Sequence, residues 1–403
     1  MTDTAASRPL NGIRVLDIAT FIAAPFCATL LAEFGAEVIK VELPGSGDPL
    51  RRFGTATKCG ETLPWLSESR NKKSVTLDLR RPEGAALFKR LVAEADVVCE
   101  NFQTGTLEGW GLGWEVLKEI NPRLVMLRVT GYGQTGPYAG RPGFGRIANA
   151  FGGLAFLAGY PDRAPVTPGS ATLPDYMSGL FGAFGVMLAL RAREATGRGQ
   201  MIDIGLYESI FRVLDELAPR YDLDGFVRQR MGPGTVNTVP HSHYETKDGR
   251  WVAIACTSDK IFARLAELMG VAELAGEGRF GTTARRQAAR EEVDAMVGAW
   301  TGRHPREALL ALCEEAQVPC GPVYAIDEIF EDPHYAARGN LAEVEDARIG
   351  RLKFANVVPR LSETPGGIDH LGEGLGARAE AVYGGLLGLS VAEIAALKEK
   401  GVI

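Results

Sequence analysis

The sequence predicts an α/β protein, a parallel sheet covered by helices on both faces with a smaller α+β segment after it. Three observations carry that reading. Apolar strand-like runs alternate with helical ones through the first 200 or so residues, the rhythm of a parallel sheet. The rhythm stops at 220–240 (DLDG, MGPG and a proline), and a hairpin pattern follows it. A chain of 403 residues is also too long for a single compact core.

GIRVLDIAT (12–20) reads as a buried strand, APFCATLLAEFGA (24–36) as a helix ending at Gly35, and AEVIKVE (36–42) as the next strand. Together they close a βαβ unit of about 30 residues. The loop PGSGDPLRRFG leads to a third strand, KSVTLDL (73–79), and to an amphipathic helix, 82–95, with Pro82 at its first position. DVVCENF (96–102) and RLVMLRVTGY (123–132) are strands four and five, with a helix around Trp114–Ile120 between them. MIDIGL is another strand and YESIFRVLDEL a helix. HYETKDGRWVAIAC (243–256) has the alternation of a hairpin turning at Lys247-Asp248-Gly249. Helices follow at 260–269, 283–300 and 305–316. IGRLKFANVVPRLSETPG reads as a strand pair, and 375–388 and 390–400 as closing helices.

Between strands five and six lies PVTPGSATLPDYMSGLFGAFGVMLALRAR (165–193). Met177, Leu180, Phe181, Phe184, Met187, Leu188 and Ala192 recur at helical spacing, so 176–193 reads as a buried helix. Interior glycines at 179, 182 and 185 each cost about 1 kcal/mol against alanine, which is tolerated where another backbone comes close. At the mouth of this helix stands Asp175, the only charged residue between Arg163 and Arg191. It reads either as an N-cap or as a carboxylate nucleophile kept ionised by the positive end of the helix.

Composition excludes several functions. With a net charge of -6 there is no basic surplus to neutralise a nucleic acid. The segment MTDTAASRPL lacks the build of a signal peptide, and the apolar run 176–190 is shorter than a membrane span, so neither secretion nor membrane insertion is expected. Six cysteines (27, 59, 99, 256, 313, 320) form no CxxC pair, which points to reduced thiols and a cytoplasmic setting. His241 and His243 lack an acidic or thiol companion, so no metal site is expected. GYGQTG (131–136) matches the dinucleotide fingerprint by letter, but PYAGRPGFG after it cannot open the helix that would hold a pyrophosphate. The turn DIATFIAAP contains no glycine, and neither GxSxG nor a P-loop occurs.

GIRVLDIATFIAAPFCATLLAEFGAEVIKVE, GSGDPLR, ESRNKKSVTLDL, DVVCENF, NPRLVMLRVTGYGQTGPY, LPDYMSGLFGAFGVMLALRARE, TGRGQMIDIGLYES, VPCGPV, DPHYAARGNL and the closing LGARAEAVYGGLLGLSVAEIAALKEKGVI stand in the order seen in class III CoA-transferases. The chain resembles that family over nearly its whole length, and most closely its succinyl-CoA-dependent members. The resemblance implies a large Rossmann-like domain from residues 1–220, a linker at 221–240 and a small α+β domain at 241–322. Residues 323–403 would be a second linker and a return to the large domain. It further implies an interlocked homodimer, with a related second subunit in some members.

The resemblance makes Asp175 the catalytic carboxylate, passing CoA between acids through an aspartyl-CoA thioester with no permanent cofactor. The substrates would be an acyl-CoA, succinyl-CoA above all, and a carboxylic acid such as malate, itaconate, mesaconate or glutarate. Its CoA contacts fall on Phe21, Ile22, Ala23, Ala24, Lys40, Lys72, Lys73, Asn101, Phe102 and Arg141. Lysines suit phosphates and a ring suits adenine. Gln103 and Gly109 stand where many relatives carry basic residues. Glycine-rich stretches at 131–136 and 152–153 would supply oxyanion donors. The alternative within the family is a 2-methylacyl-CoA racemase, which needs two acid/base groups. Phe144 and Gly145 occupy the position of its His-Asp pair, and neither carries a proton. Phe144 and Arg146 are then substrate-binding candidates. Arg146 is the only basic residue between Arg141 and Arg163, and buried there it would want a ligand carboxylate.

Overall fold

The computed structural model describes residues 8–169 and 172–403. The absence of a leader expected from the first ten residues therefore lies, for 1–7, outside the described residues, as do Ser170 and Ala171 of the central stretch. The chain divides into two compact units, one of residues 1–154, 169–220 and 337–403, the other of 155–168 and 221–336. Residues 155–168, expected in the large domain, thus group with the smaller unit, and the linker expected at 221–240 opens on the end of a helix, Leu217–Asp224.

The large unit is built on six strands: β1 (Arg14–Asp17), β2 (Glu37–Glu42), β3 (Lys72–Thr76), β4 (Val97–Glu100), β5 (Val125–Thr130) and β6 (Met201–Gly205). They are all parallel and lie in the order β3-β2-β1-β4-β5-β6. The order turns back between β1 and β4. Beyond the carboxyl ends of those two strands lies the crevice in which open α/β sheets place ligands.

Strand side chains alternate between two cores, as a period of two requires. Leu16, Ile39, Val75, Val98 and Met126 enter one core with Phe88, Leu91 and Val92 of the helix Pro82–Ala93. The C-terminal residues Val382, Tyr383, Ile394 and Val402 complete it, and Asp78 N–H donates to the Val402 carbonyl at 2.8 Å. Val15, Val38, Val97, Val125 and Leu127 face the other core, with the first helix (Ala23–Glu33) and the long helix (Leu173–Thr196).

The glycines of the long helix are sites of close approach. A Cβ on Gly179 would stand 2.7 Å from the Ala23 carbonyl oxygen, and one on Gly182 would stand 2.7 Å from a Leu127 methyl. Only half of the buried-helix expectation survives, however. Gly179, Gly182, Val186 and Ala189 are buried, whereas Leu180, Phe184, Met187 and Leu188 are 42–61% exposed. Helical spacing gives the width of an apolar stripe and says nothing of whether the same chain covers it. By length and composition this 24-residue helix could cross a membrane; here one face packs on the first helix, β5 and β6.

The smaller unit carries an antiparallel sheet, β7 (His241–Glu245), β8 (Trp251–Ala255) and β9 (Cys320–Pro322), in the order β7-β8-β9. Helices contribute Phe262, Leu265, Val293, Val297 and Leu309 to its core. The expected helix 283–300 breaks at Ala289, where φ is -117° and ψ 31°. Back in the large unit, β10 (Leu341–Asp346) and β11 (Gly350–Ala355) form the late hairpin. The expected pair began one strand too late, because LAEVED alternates with charged residues and looks like solvated loop.

Candidate active site

Under the turn from β1 into the first helix lies a buried charge network. Lys72 Nζ reaches Asp17 Oδ2 at 2.9 Å and the Pro25 carbonyl at 2.7 Å. Lys40 Nζ lies 3.4 Å from Asp17 Oδ1 and 2.9 Å from Asp48 Oδ2, and donates to the Ala19 carbonyl. All four side chains are out of solvent. Burial works against the Lys40 charge, but Asp17, Asp48 and Glu42 outweigh it and raise its pKa. Lys72 is lowered, by burial first and by the neighbouring Lys40.

This network fixes the backbone above it. Asp48 Oδ1 accepts from Phe21 N–H at 3.1 Å. Asn101 grips Thr20 from both sides, accepting its N–H at 2.8 Å and donating to its carbonyl at 2.7 Å. So held, Phe21 adopts φ +61°, a conformation that costs a bulky residue about 1–3 kcal/mol.

Beside this turn, at the carboxyl ends of β1–β4, opens a cavity of about 380 Å³. Thr20, Asp48, Arg52, Arg80, Phe102 and Trp110 are among its lining residues. Phe102 and Trp110 meet edge to face with centroids 5.2 Å apart. Arg80 is half exposed and paired with Asp78 at 2.7 Å, while Arg52 donates to the Ser46 carbonyl. The cavity therefore offers stacking surface on one side and guanidinium groups on the other.

Asp175 is not the cap of the long helix. Thr172 holds that position, and Asp175 is the third helical residue, inside the first turn where the positive helix end favours an anion. Burial raises its pKa, against the Thr172 hydroxyl, which donates to Oδ2 and lowers it. A Cβ on Gly145 would lie 2.2 Å from that same Oδ2. The start of the helix Gly145–Phe151 thus meets the carboxylate with backbone alone. Gly131 and Gly143 explain how: each would put a Cβ within 2.7 Å of the other's Cα, so the 143–146 segment lies flat on the end of β5. In GYGQTG the first glycine serves packing, not a pyrophosphate.

The residues expected to touch CoA separate into groups. Phe102 lines the cavity, and Asn101 and Phe21 shape its edge. Ala23 and Ala24 are buried at the start of the first helix, and Ile22 packs beside Leu50 and Trp65. Lys40 and Lys72 do not line the cavity; their ammonium groups are spent on Asp17 and Asp48, a positioning role. Lys73 lines a different cavity with Arg8, Asn71 and His370 and pairs with Glu37 at 2.5 Å. Arg141 is exposed and stacks over Tyr138 at 3.7 Å. Arg146 is exposed on the helix beginning at Gly145, so the premise of a buried, unpaired arginine does not hold. Phe144, also exposed, directly precedes Gly145. Arg52, Arg80 and Trp110 line the cavity beside Phe102 without belonging to the expected contacts. Their signal was position, since GSGDPLRR and LDLRR each put basic residues just past a strand's carboxyl end.

A cavity of this kind at the turning point of a parallel sheet belongs to an α/β enzyme that handles a nucleotide-linked substrate. The chain belongs to CoA-transferase family III, whose model matches residues 10–373. It is 56% identical over 405 residues to the succinyl-CoA–L-malate CoA-transferase beta subunit of Chloroflexus aurantiacus, covering 100% of both chains. To the alpha subunit of that organism's enzyme it is 53% identical over 396 residues, 98% of this chain and 92% of the relative. The crystal structure of a CAIB/BAIF family protein from Brucella suis superposes with a TM-score of 0.82 at 35% identity, over 94% of this chain and 100% of that one. The protein is a family III CoA-transferase.

The Thr172 contact yields a pH prediction. A carboxylate nucleophile is active only when ionised, so with Asp175 in that role CoA transfer would fall as pH drops through its raised pKa. Thr172→Val removes the donor that favours the charged form. The acid limb of kcat/KM should then move to higher pH, with the plateau little changed. A limb that stays in place would show that another group gates the reaction.

Proposed function

We propose that the protein transfers CoA from succinyl-CoA to a four- or five-carbon dicarboxylate, L-malate foremost, through an Asp175-bound CoA thioester. The observation that carries this reading is the partly buried Asp175 carboxylate at the positive end of the long helix, with the Gly145 backbone against it. The names of the relatives above support the donor and the acceptor.

Asp175 attacks the thioester carbonyl of succinyl-CoA. A C–O bond forms, the C–S bond breaks, and CoA leaves as thiolate from a mixed anhydride. The thiolate then attacks the aspartyl carbonyl, forming aspartyl-CoA and expelling succinate. The acceptor carboxylate attacks aspartyl-CoA, and the returned thiolate cleaves the second anhydride on the acceptor's acyl side. Product acyl-CoA and free Asp175 result. No net proton or electron moves, so the cycle calls for neither a metal nor a redox cofactor. Dividing the exchange into steps of similar energy is what the covalent route contributes. In the cavity, Phe102 and Trp110 suit adenine, and Arg52 and Arg80 suit its phosphates. Free thiols at all six cysteines suit a reducing, cytoplasmic compartment.

Asp175→Asn tests the covalent route. Asn keeps the volume but forms no anhydride, so transfer should fall at least about a thousandfold with the fold unchanged. Hydroxylamine trapping after succinyl-CoA is added alone should label Asp175 in the wild type. Substantial turnover by the variant, or a label on another carboxylate, would exclude the mechanism.

Arg146 stands one residue from Gly145, which abuts Asp175. We assign it the distal carboxylate of the diacid, with Phe144 beside it against the acyl chain. Because Arg146 is exposed, water already solvates its charge, and the gain lies at the low end for charged contacts. Arg146→Met should lower kcat/KM for dicarboxylates about tenfold and leave monocarboxylates such as propionate unchanged. An equal effect on both classes removes Arg146 from acceptor choice.

The protein acts as an interlocked dimer in this reading, with a second copy or a related subunit on the long helix. Support comes from the apolar face of Leu180, Phe184, Met187 and Leu188, which the chain itself leaves uncovered. Similarity to both an alpha and a beta subunit leaves either partner open. Phe184→Lys should raise the dimer dissociation constant on the order of 100-fold in analytical ultracentrifugation. A variant as dimeric as the wild type would free that face from the interface.

A further inference from the structure

The helix that begins against Asp175 buries one face only. Its covered residues are Gly145, Ala148 and Asn149, the i, i+3, i+4 set of a single face. Asn149 is 4% exposed, and its Oδ1 is shut off from solvent with no hydrogen-bond partner among the described residues. The fold gains little from it. Asparagine is a weak helix former, a buried amide without a partner is destabilising, and alanine stands on either side, at 148 and 150.

The position of Asn149 gives that amide a use. Cβ positions four apart on a helix lie about 5–6 Å from each other, and a helical side chain leans back over the turn before it. Asn149 therefore covers the turn of Gly145, where a Cβ would lie 2.2 Å from Asp175 Oδ2. In the resting protein that oxygen accepts from the Thr172 hydroxyl, while the Asn149 carbonyl oxygen is unpaired nearby.

We infer that Asn149 is a catalytic residue, donating its amide N–H to Asp175 Oδ2 when the CoA thiolate attacks the aspartyl carbonyl. The inference rests on Asp175 being the nucleophile. Oδ1 then carries the acyl group of the anhydride, and Oδ2 is the carbonyl oxygen. The thiolate sulfur bonds to Cγ, and the C=O electron pair moves onto Oδ2, where the Thr172 hydroxyl and the Asn149 amide meet the charge. As the carbonyl re-forms, the Cγ–Oδ1 bond breaks and succinate leaves with that oxygen. The same Oδ2 takes the charge when the acceptor carboxylate attacks aspartyl-CoA. A donor that engages only the oxyanion lowers the barrier without deepening the resting well.

The test follows exchange of labelled succinate into succinyl-CoA by the full protein, which needs no acceptor acid. Asn149→Leu keeps the shape without the amide, and Asn149→Ala removes both. Each should lower kcat and kcat/KM alike, by roughly 100- to 1,000-fold, with KM little changed and the melting temperature no lower. The acid limb should stay in place, because the resting carboxylate lacks this contact, whereas Thr172→Val moves it. Unaltered kcat, a loss confined to KM, a shifted acid limb or a lowered melting temperature in both variants overturns the inference. Wild-type protein that exchanges no succinate, or that hydroxylamine labels elsewhere than at Asp175, removes the nucleophile and the inference with it. A label on Asp175 together with normal exchange by the Asn149 variants overturns the inference alone.

Discussion

Asp17 is wholly buried at the end of β1, and two lysines meet there from two neighbouring strands. A lone carboxylate in that place would be costly, as would either ammonium without it, since removing one partner of a buried ion pair costs about 3–5 kcal/mol. With Asp48 the four charges sum to zero. Such a network adds little net stability compared with apolar packing, but it fixes direction. Lys40 and Lys72 also donate to the carbonyls of Ala19 and Pro25, at either end of the turn into the first helix. The path of residues 19–25 is set from beneath, and the strained Phe21 follows from it.

Glycine does the complementary work from above. Gly179 lets the long helix approach the Ala23 carbonyl, bringing the start of that helix against the turn that Asp17 anchors. Gly145 lets a second backbone reach the Asp175 carboxylate, and the Gly131–Gly143 contact holds that backbone down on β5. A methyl group at Gly145 would occupy the space of Oδ2 itself. The site is thus shaped as much by omitted side chains as by those present, with the buried salt bridges as its rigid floor.

Much of this was legible in the sequence. The six parallel strands and the long helix follow from apolar period and length, and Asp175 stood out as an isolated charge at a helix mouth. What failed had a common physical root, because sequence gives a residue's type and not its surroundings. Lys40 and Lys72 were read as phosphate ligands, since nothing local reveals that Asp17, far from both in sequence, takes their charge. Phe184 and Leu188 look buried by sequence, because apolar periodicity is the same whether or not the chain itself covers the face. The break at Ala289 and the three-residue β9 are tertiary outcomes. At that length, local pattern carries little information. Arg52 and Arg80, which line the cavity, do carry a local signal, since both follow the carboxyl end of a strand.

The environment of Asp175 suits a reaction that runs close to equilibrium in both directions. A carboxylate surrounded by strong donors would be fully ionised but a poor nucleophile, and its thioester a reluctant product. One isolated in apolar surroundings would be a better nucleophile but mostly protonated. Asp175 lies between these limits: burial raises its pKa, while the Thr172 hydroxyl and the helix end favour the charged form. In the proposed cycle that compromise matters twice, because the same carboxylate would attack an incoming thioester and later be released from its own. Stabilising either resting form further would deepen a well that the return half-reaction has to climb out of. Among the described residues one hydroxyl and glycine backbone meet this carboxylate, an arrangement that suits a reversible exchange.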